Sequence, residues 1–175
     1  DEFLLEYSNF LQNQKKQFSP TFSFKKDIKR NFMQEKALQR LDELRISGEK
    51  KALIIAATGS GKTYLSAFDV KNFQAKRVLF LVHRENILLS AKKSFENILG
   101  DKFSYGLFTG NKKEQEKDYI FSTIQTMSNS YENFSEEQFD YIIIDEAHHV
   151  TSPTYKKVAE YFKPKFLLGL TATSN

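Results

Sequence analysis

The chain has no cysteine and no tryptophan, and only 3 prolines and 7 glycines among 175 residues. Without cysteine there is no disulfide framework, thiolate zinc site, iron–sulfur cluster or cysteine nucleophile, which fits a reducing compartment. No apolar stretch approaches the roughly 18 to 20 residues that would span a bilayer. The opening DEFLLEYSNF has neither the basic end nor the small-residue cleavage site of a signal peptide. The expectation is a cytoplasmic protein with no membrane partner. Charge of one sign is also scarce: 26 Lys plus Arg oppose 22 Asp plus Glu, a net of +4. That balance tolerates a polyanionic partner without demanding one.

What is present is a core. Residues of the hydrophobic set make up 40% of the chain, and a chain of this length buries roughly 70% of its unfolded surface as one domain. Phe3, Leu4, Tyr7, Phe10 and Leu11 recur at helical spacing, so an N-terminal helix and a connector around Pro20 are expected over 1–26. A second helical pattern runs from Ile28 to Ile46 and stops at Ser47-Gly48. The pattern then changes. Ala52–Ala57, Arg77–Val82, Asp118–Thr123, Tyr141–Asp145 and Phe166–Leu170 are short, nearly continuous apolar runs, with a weaker one at Ser104–Thr109. Runs without alternation predict strands buried on both faces. Helical stretches lie between them at 62–73, 85–98 and 153–162, so the class is α/β, a mostly parallel sheet sandwiched between helices.

The strongest local signal is AATGSGKT, Ala56 to Thr63, between a predicted strand and a predicted helix. Gly59 and Gly61 let the backbone curl so that the N–H groups of Thr58, Gly59, Ser60 and Gly61 converge on phosphate at the positive end of the helix. Lys62 would reach the β- and γ-phosphates of ATP, and the Thr63 hydroxyl would ligate Mg²⁺. The usual glycine at the first position of such loops is Ala56 here.

Downstream, YIIIDEAHH ends a predicted strand at Asp145. Open α/β sheets bind ligands at that carboxyl edge. Asp145 is the natural partner for Mg²⁺, directly or through water, and Glu146 is placed to polarise a water for attack on the γ-phosphate. His148 and His149 lack the i, i+4 spacing of a zinc helix. The alternative for them is a pair of solvated loop histidines.

These segments together resemble the first RecA-like motor domain of superfamily 2 helicases. AATGSGKT, LVHRENIL (81–88), FSTIQTM (121–127), IIIDEAHH (142–149) and GLTAT (169–173) stand in its order and spacing, covering 27–175. The DEAHH form and the HRE segment are most similar to bacterial DEAD/DEAH-box proteins grouped with type III restriction subunits. The resemblance implies a RecA-like P-loop fold, ATP and Mg²⁺ as cofactors, and a nucleic-acid partner, DNA rather than RNA. It also implies a second RecA-like domain, which this chain lacks, so the chain alone should hydrolyse ATP slowly if at all. Some relatives carry an attached nuclease domain.

Residue by residue, the resemblance makes Gln34 the adenine reader, whose amide can pair with an N6 donor and an N7 acceptor. The bland alternative is an exposed helix glutamine. His83, Arg84, Thr123 and Gln125 match segments that contact the nucleic-acid backbone, where the alternative is ordinary surface polarity. His148, Thr171 and Thr173 match positions that couple hydrolysis to domain movement. Ser90 stands where relatives often have Gln, and Ser174 where Pro commonly follows. Other classes remain: a small-molecule kinase, a non-catalytic nucleotide sensor, and a nucleic-acid-binding domain with a vestigial P-loop.

Overall fold

The apolar runs become strands because layers of helix cover both of their faces. In the computed structural model, residues 28–56, 61–147 and 152–172 are described. The expected N-terminal helix and connector lie outside them. In chain order the elements are α1 (Phe32–Ile46), β1 (Lys51–Ala56), α2 (Gly61–Phe73), β2 (Val78–Val82), α3 (Leu88–Leu99) and β3 (Tyr105–Phe108). They continue with β4 (Tyr119–Thr123), α4 (Ile124–Ser130), β5 (Tyr141–Asp145), α5 (Pro153–Tyr161) and β6 (Phe166–Ala172). Short 3₁₀ turns at Glu85–Ile87, Gly100–Lys102 and Tyr131–Asn133 link some of them.

Among the described residues the sheet has six strands in the order β1-β6-β5-β2-β4-β3. Every neighbouring pair is parallel. All five residues of β2 and of β4 are buried, which explains why their sequences do not alternate. Successive side chains still part to opposite faces. Val78, Phe80, Val82, Phe121, Ile143 and Leu168 join residues of α1, α2 and α3 in one core. Leu79, Leu81, Ile120, Ile142 and Ile144 join residues of α4 and α5 in the other. Among the described residues no helix is long and apolar enough to cross a membrane.

Three details differ from the sequence expectation. The first helix begins at Phe32, because Asn31 caps it: the Gln34 backbone N–H donates to Asn31 Oδ1 at 2.8 Å, and the Asn31 N–H donates to Gln34 Oε1 at 3.0 Å. This reciprocal box fixes the start of the helix. Strand β6 runs two residues past Leu170, because Thr171 and Ala172 pair with Ile55 and Ala56 of β1. Helix α4 was not expected. It starts where the Thr123 hydroxyl accepts the Thr126 N–H at 3.2 Å, an N-cap that ends β4 and opens a helix at once.

Candidate nucleotide site and strand-contact edge

Parallel register brings the carboxyl ends of the strands to one edge. Ala56 of β1 pairs with Ala172 of β6, Leu170 of β6 with Asp145 of β5, and Val82 of β2 with Thr123 of β4. The candidate residues therefore fall into two groups along that edge, one where β1, β6 and β5 end and one where β2 and β4 end.

In the first group, Gly61, Lys62 and Thr63 form the opening of α2. Lys62 is only 8% exposed. Burial lowers its pKa from the ordinary lysine value, and the carboxylates of Asp145 and Glu146 pull the other way. The ammonium thus lies within the field of the acidic pair that the sequence placed more than eighty positions downstream. At the turn off β5 the Glu146 N–H donates to Asp145 Oδ1 at 2.9 Å, and Glu146 has a φ of 54°. A non-glycine residue in this left-handed region is uncommon and carries a conformational cost. Thr171 is buried between the two ends, beside Ile55 of β1. Thr58, Gly59, Ser60, His148 and Thr173 lie outside the described residues.

Tyr155 belongs to this group and was not foreseen. It is 2% exposed on α5, and its phenol is pushed up to about 12 by burial, reinforced by Glu146 and Asp145. The phenol therefore stays neutral at physiological pH beside the acidic pair. Its only sequence signal was an aromatic residue in a helix directly after the DEAH segment.

Gln34 is buried, at 6% exposure, so the exposed-glutamine alternative does not hold. Its Oε1 accepts the Asn31 N–H, which leaves the second lone pair of that oxygen and the amide hydrogens for other partners.

In the second group His83, Arg84 and Gln125 are exposed. Thr123 differs from them: it is buried, accepts from the Thr126 N–H and donates to Thr126 Oγ1 at 2.9 Å. The fold uses its hydroxyl as a helix cap. Ser90 is exposed, and its hydroxyl donates to the Ile87 carbonyl at 2.9 Å.

Two donors that suit Mg²⁺, the Thr63 hydroxyl at the start of α2 and the Asp145 carboxylate at the end of β5, sit on the same stretch of the edge. Among the described residues no three His, Cys, Asp or Glu side chains gather as a protein-only metal cage. One carboxylate and one hydroxyl fit an ion that completes its shell with water and phosphate oxygens.

With this geometry in hand, residues 27–175 match the family model for the type III restriction enzyme res subunit. The chain belongs to that family. It corresponds to the ATP-binding motor domain of that family. Over 139 residues it is 31% identical to the putative mitochondrial ATP-dependent helicase irc3 of Schizosaccharomyces pombe, covering 72% of this chain and 23% of that protein. Over 156 residues it is 25% identical to the type I restriction enzyme EcoAI endonuclease subunit of Escherichia coli, covering 81% of this chain and 19% of that protein. The chain thus spans about a fifth to a quarter of the length of these relatives. The SWI2/SNF2 ATPase core of Sulfolobus solfataricus, solved with double-stranded DNA, superposes with a TM-score of 0.68 at 18% identity, covering 90% of this chain and 35% of that one. At that identity the likeness speaks for the fold alone, a RecA-like α/β domain.

Proposed function

We propose that this chain is the nucleotide-binding half of an ATP-driven motor that moves along DNA. The observation that carries the reading is the meeting, at one sheet edge, of the buried Lys62 with Asp145 and Glu146. A lysine stripped of solvent beside two carboxylates is poised to exchange them for a more highly charged anion, and a triphosphate is that anion. Lys62 would neutralise charge on the transferred phosphate, with backbone N–H groups of the 58–61 turn around it. Glu146, turned off the strand by its left-handed backbone, would accept a hydrogen bond from the attacking water and orient it. Mg²⁺, held by Thr63 and Asp145, would supply further positive charge to the phosphate oxygens. Gln34 would read the adenine.

The neighbouring stretch of the edge, with His83, Arg84 and Gln125, would hold phosphates of a DNA strand without reading its sequence. Thr171 lies on β6, between the ends of β1 and β5, and with His148 and Thr173 it would couple the nucleotide state to domain movement. A second RecA-like domain of the same polypeptide would close the other wall of the nucleotide cleft and supply an arginine to the transition state. DNA as substrate accords with the relatives, among them a restriction subunit, and a nuclease domain would then be a further partner.

The test is Glu146→Gln in the intact polypeptide. DNA-stimulated hydrolysis should fall at least about 100-fold, with nucleotide affinity within about threefold of wild type. Undiminished turnover in that variant, or hydrolysis indifferent to DNA in the wild type, would overturn the proposal.

A further inference from the structure

Seven positions after Lys62, α2 carries an aspartate with no exposed surface: Asp69 is 0% exposed. Arg45, in the last turn of α1, grips it with a two-pronged fork, Nη1 to Oδ2 and Nη2 to Oδ1, both at 2.7 Å. The Tyr141 hydroxyl, at the start of β5, donates to the same Oδ2 at 2.5 Å. The guanidinium lies 4.7 Å from the Phe166 ring centroid and 5.5 Å from that of Phe73, and Nη2 also meets Asp42 at 2.6 Å. Burial works against the Arg45 charge, but the bonds and field of Asp69 outweigh it and raise the pKa.

Such a pair is a poor way to add stability. Taking both ions out of water costs about as much as their attraction returns, and apolar residues of similar volume often serve better. What a buried fork does supply is a single geometry, because neither ion tolerates a shifted register that leaves it alone. Each of the three elements joined at Asp69 ends in a part of the nucleotide site. Helix α1 carries Gln34, about 16 Å along its axis from Arg45. Helix α2 carries Lys62, about 10 Å along from Asp69, and β5 runs from Tyr141 to Asp145. Arg30, just before α1, adds a second hold on α2 by donating to Asn72 Oδ1 at 2.6 Å, with its guanidinium 5.5 Å from the Phe68 centroid.

We propose that Arg45 and Asp69, with Tyr141, are positioning residues for base selection, fixing α1 on α2 so that Gln34 meets the base when Lys62 holds the phosphates. The distance between base and phosphates is set covalently in the nucleotide. A helix that rocks at the lock moves Gln34 relative to the phosphate grip and loses the base while keeping the phosphates. This inference rests on the functional reading above.

The experiment compares binding of fluorescent ATP and GTP analogues to the purified chain. Wild type should prefer the adenine nucleotide about tenfold or more. The triple variant Arg45→Met, Asp69→Leu, Tyr141→Phe exchanges the network for apolar groups of similar size. It should bind both analogues with the affinity of the guanine one, so that the preference falls to about one. Gln34→Ala should cause the same fall, and combining it with the triple variant should cause no further loss. A merely structural network would change the melting temperature and leave the ratio alone. Should the triple variant fail to fold, Arg45→Lys, which keeps the charge and loses the fork, should still lower the preference several-fold. A folded triple variant, or an Arg45→Lys variant, with undiminished preference overturns the positioning role alone, and a wild type that binds both bases equally overturns it together with the adenine-reading role of Gln34. A wild type that binds neither analogue overturns the functional reading beneath it.

Discussion

The two stretches of the sheet edge are built on opposite principles. Where β1, β6 and β5 end, the polar side chains are drawn inward: Lys62, Thr171 and Tyr155 are nearly solvent-free, and Glu146 holds a costly backbone angle. Where β2 and β4 end, His83, Arg84 and Gln125 face outward, while the Thr123 and Ser90 hydroxyls bond within helix starts. A site that must act on one phosphoryl group needs desolvated groups at fixed distances. A surface that must hold any stretch of a moving strand needs accessible donors and gains little from burial.

Lys62→Met should separate the two stretches most sharply. Nucleotide affinity should fall about a hundredfold, the loss expected for a charge-assisted phosphate contact, while DNA affinity measured without nucleotide should hold. The same change should flatten a pH dependence. Burial lowers the folded-state pKa of Lys62 below 10.5, so between that lowered value and 10.5 the unfolded chain binds more protons and stability rises with pH. In denaturant melts across the alkaline range, the stability of wild type relative to Lys62→Met should rise with pH.

Next come two glycines, one serving each stretch. A Cβ on Gly106 of β3 would lie 2.6 Å from Lys117 Cγ and 2.7 Å from the Glu114 carbonyl oxygen, which is backbone and cannot swing aside. A Cβ on Gly169 of β6 would meet Ala147 Cβ and Leu53 Cδ1 at 3.0 Å. Gly106→Ala should cost about 3 kcal/mol and Gly169→Ala about 1 to 2, read from urea melts. Because Ala147 follows Glu146 directly, Gly169→Ala should also impair hydrolysis, whereas Gly106→Ala should leave nucleotide binding intact in the folded fraction.

Thr123→Ala should cost about 1 kcal/mol through its lost cap and leave the salt dependence of DNA binding unchanged. Arg84→Ala should do the reverse, lowering the slope of log affinity against log salt by about 1 with little effect on stability. If Thr123→Ala instead weakened DNA binding at unchanged stability, the division of the edge would be drawn in the wrong place.

The parts that could be read before the structure were those in which one segment suffices. Buried parallel strands announce themselves as unbroken apolar runs, and β2, β4 and β5 lie within a residue of their expected limits. The opening of α2 soon after β1 and the acidic pair at the end of β5 are legible because strand end and polar residue lie close together in one segment. Helix α4 was not, since its 7 residues offer only Ile124 and Met127 as a buried apolar spacing and follow a strand without a break. The Arg45–Asp69–Tyr141 network joins residues far apart in sequence, and the approach of Tyr155 to the acidic pair depends on α5 packing back against β5. No local pattern reports them, because only the closure of the sheet brings them together.

The left-handed turn at Glu146 has a consequence for reach. The backbone sets the direction in which this side chain leaves the strand, so the distance of the carboxylate from its target depends on the length of the side chain. An aspartate at 146 would leave in the same direction and stop one carbon–carbon bond short, about 1.5 Å. Glu146→Asp therefore works as a ruler where Glu146→Gln works as a charge switch: one asks how far the carboxylate must extend, the other whether it must be ionised.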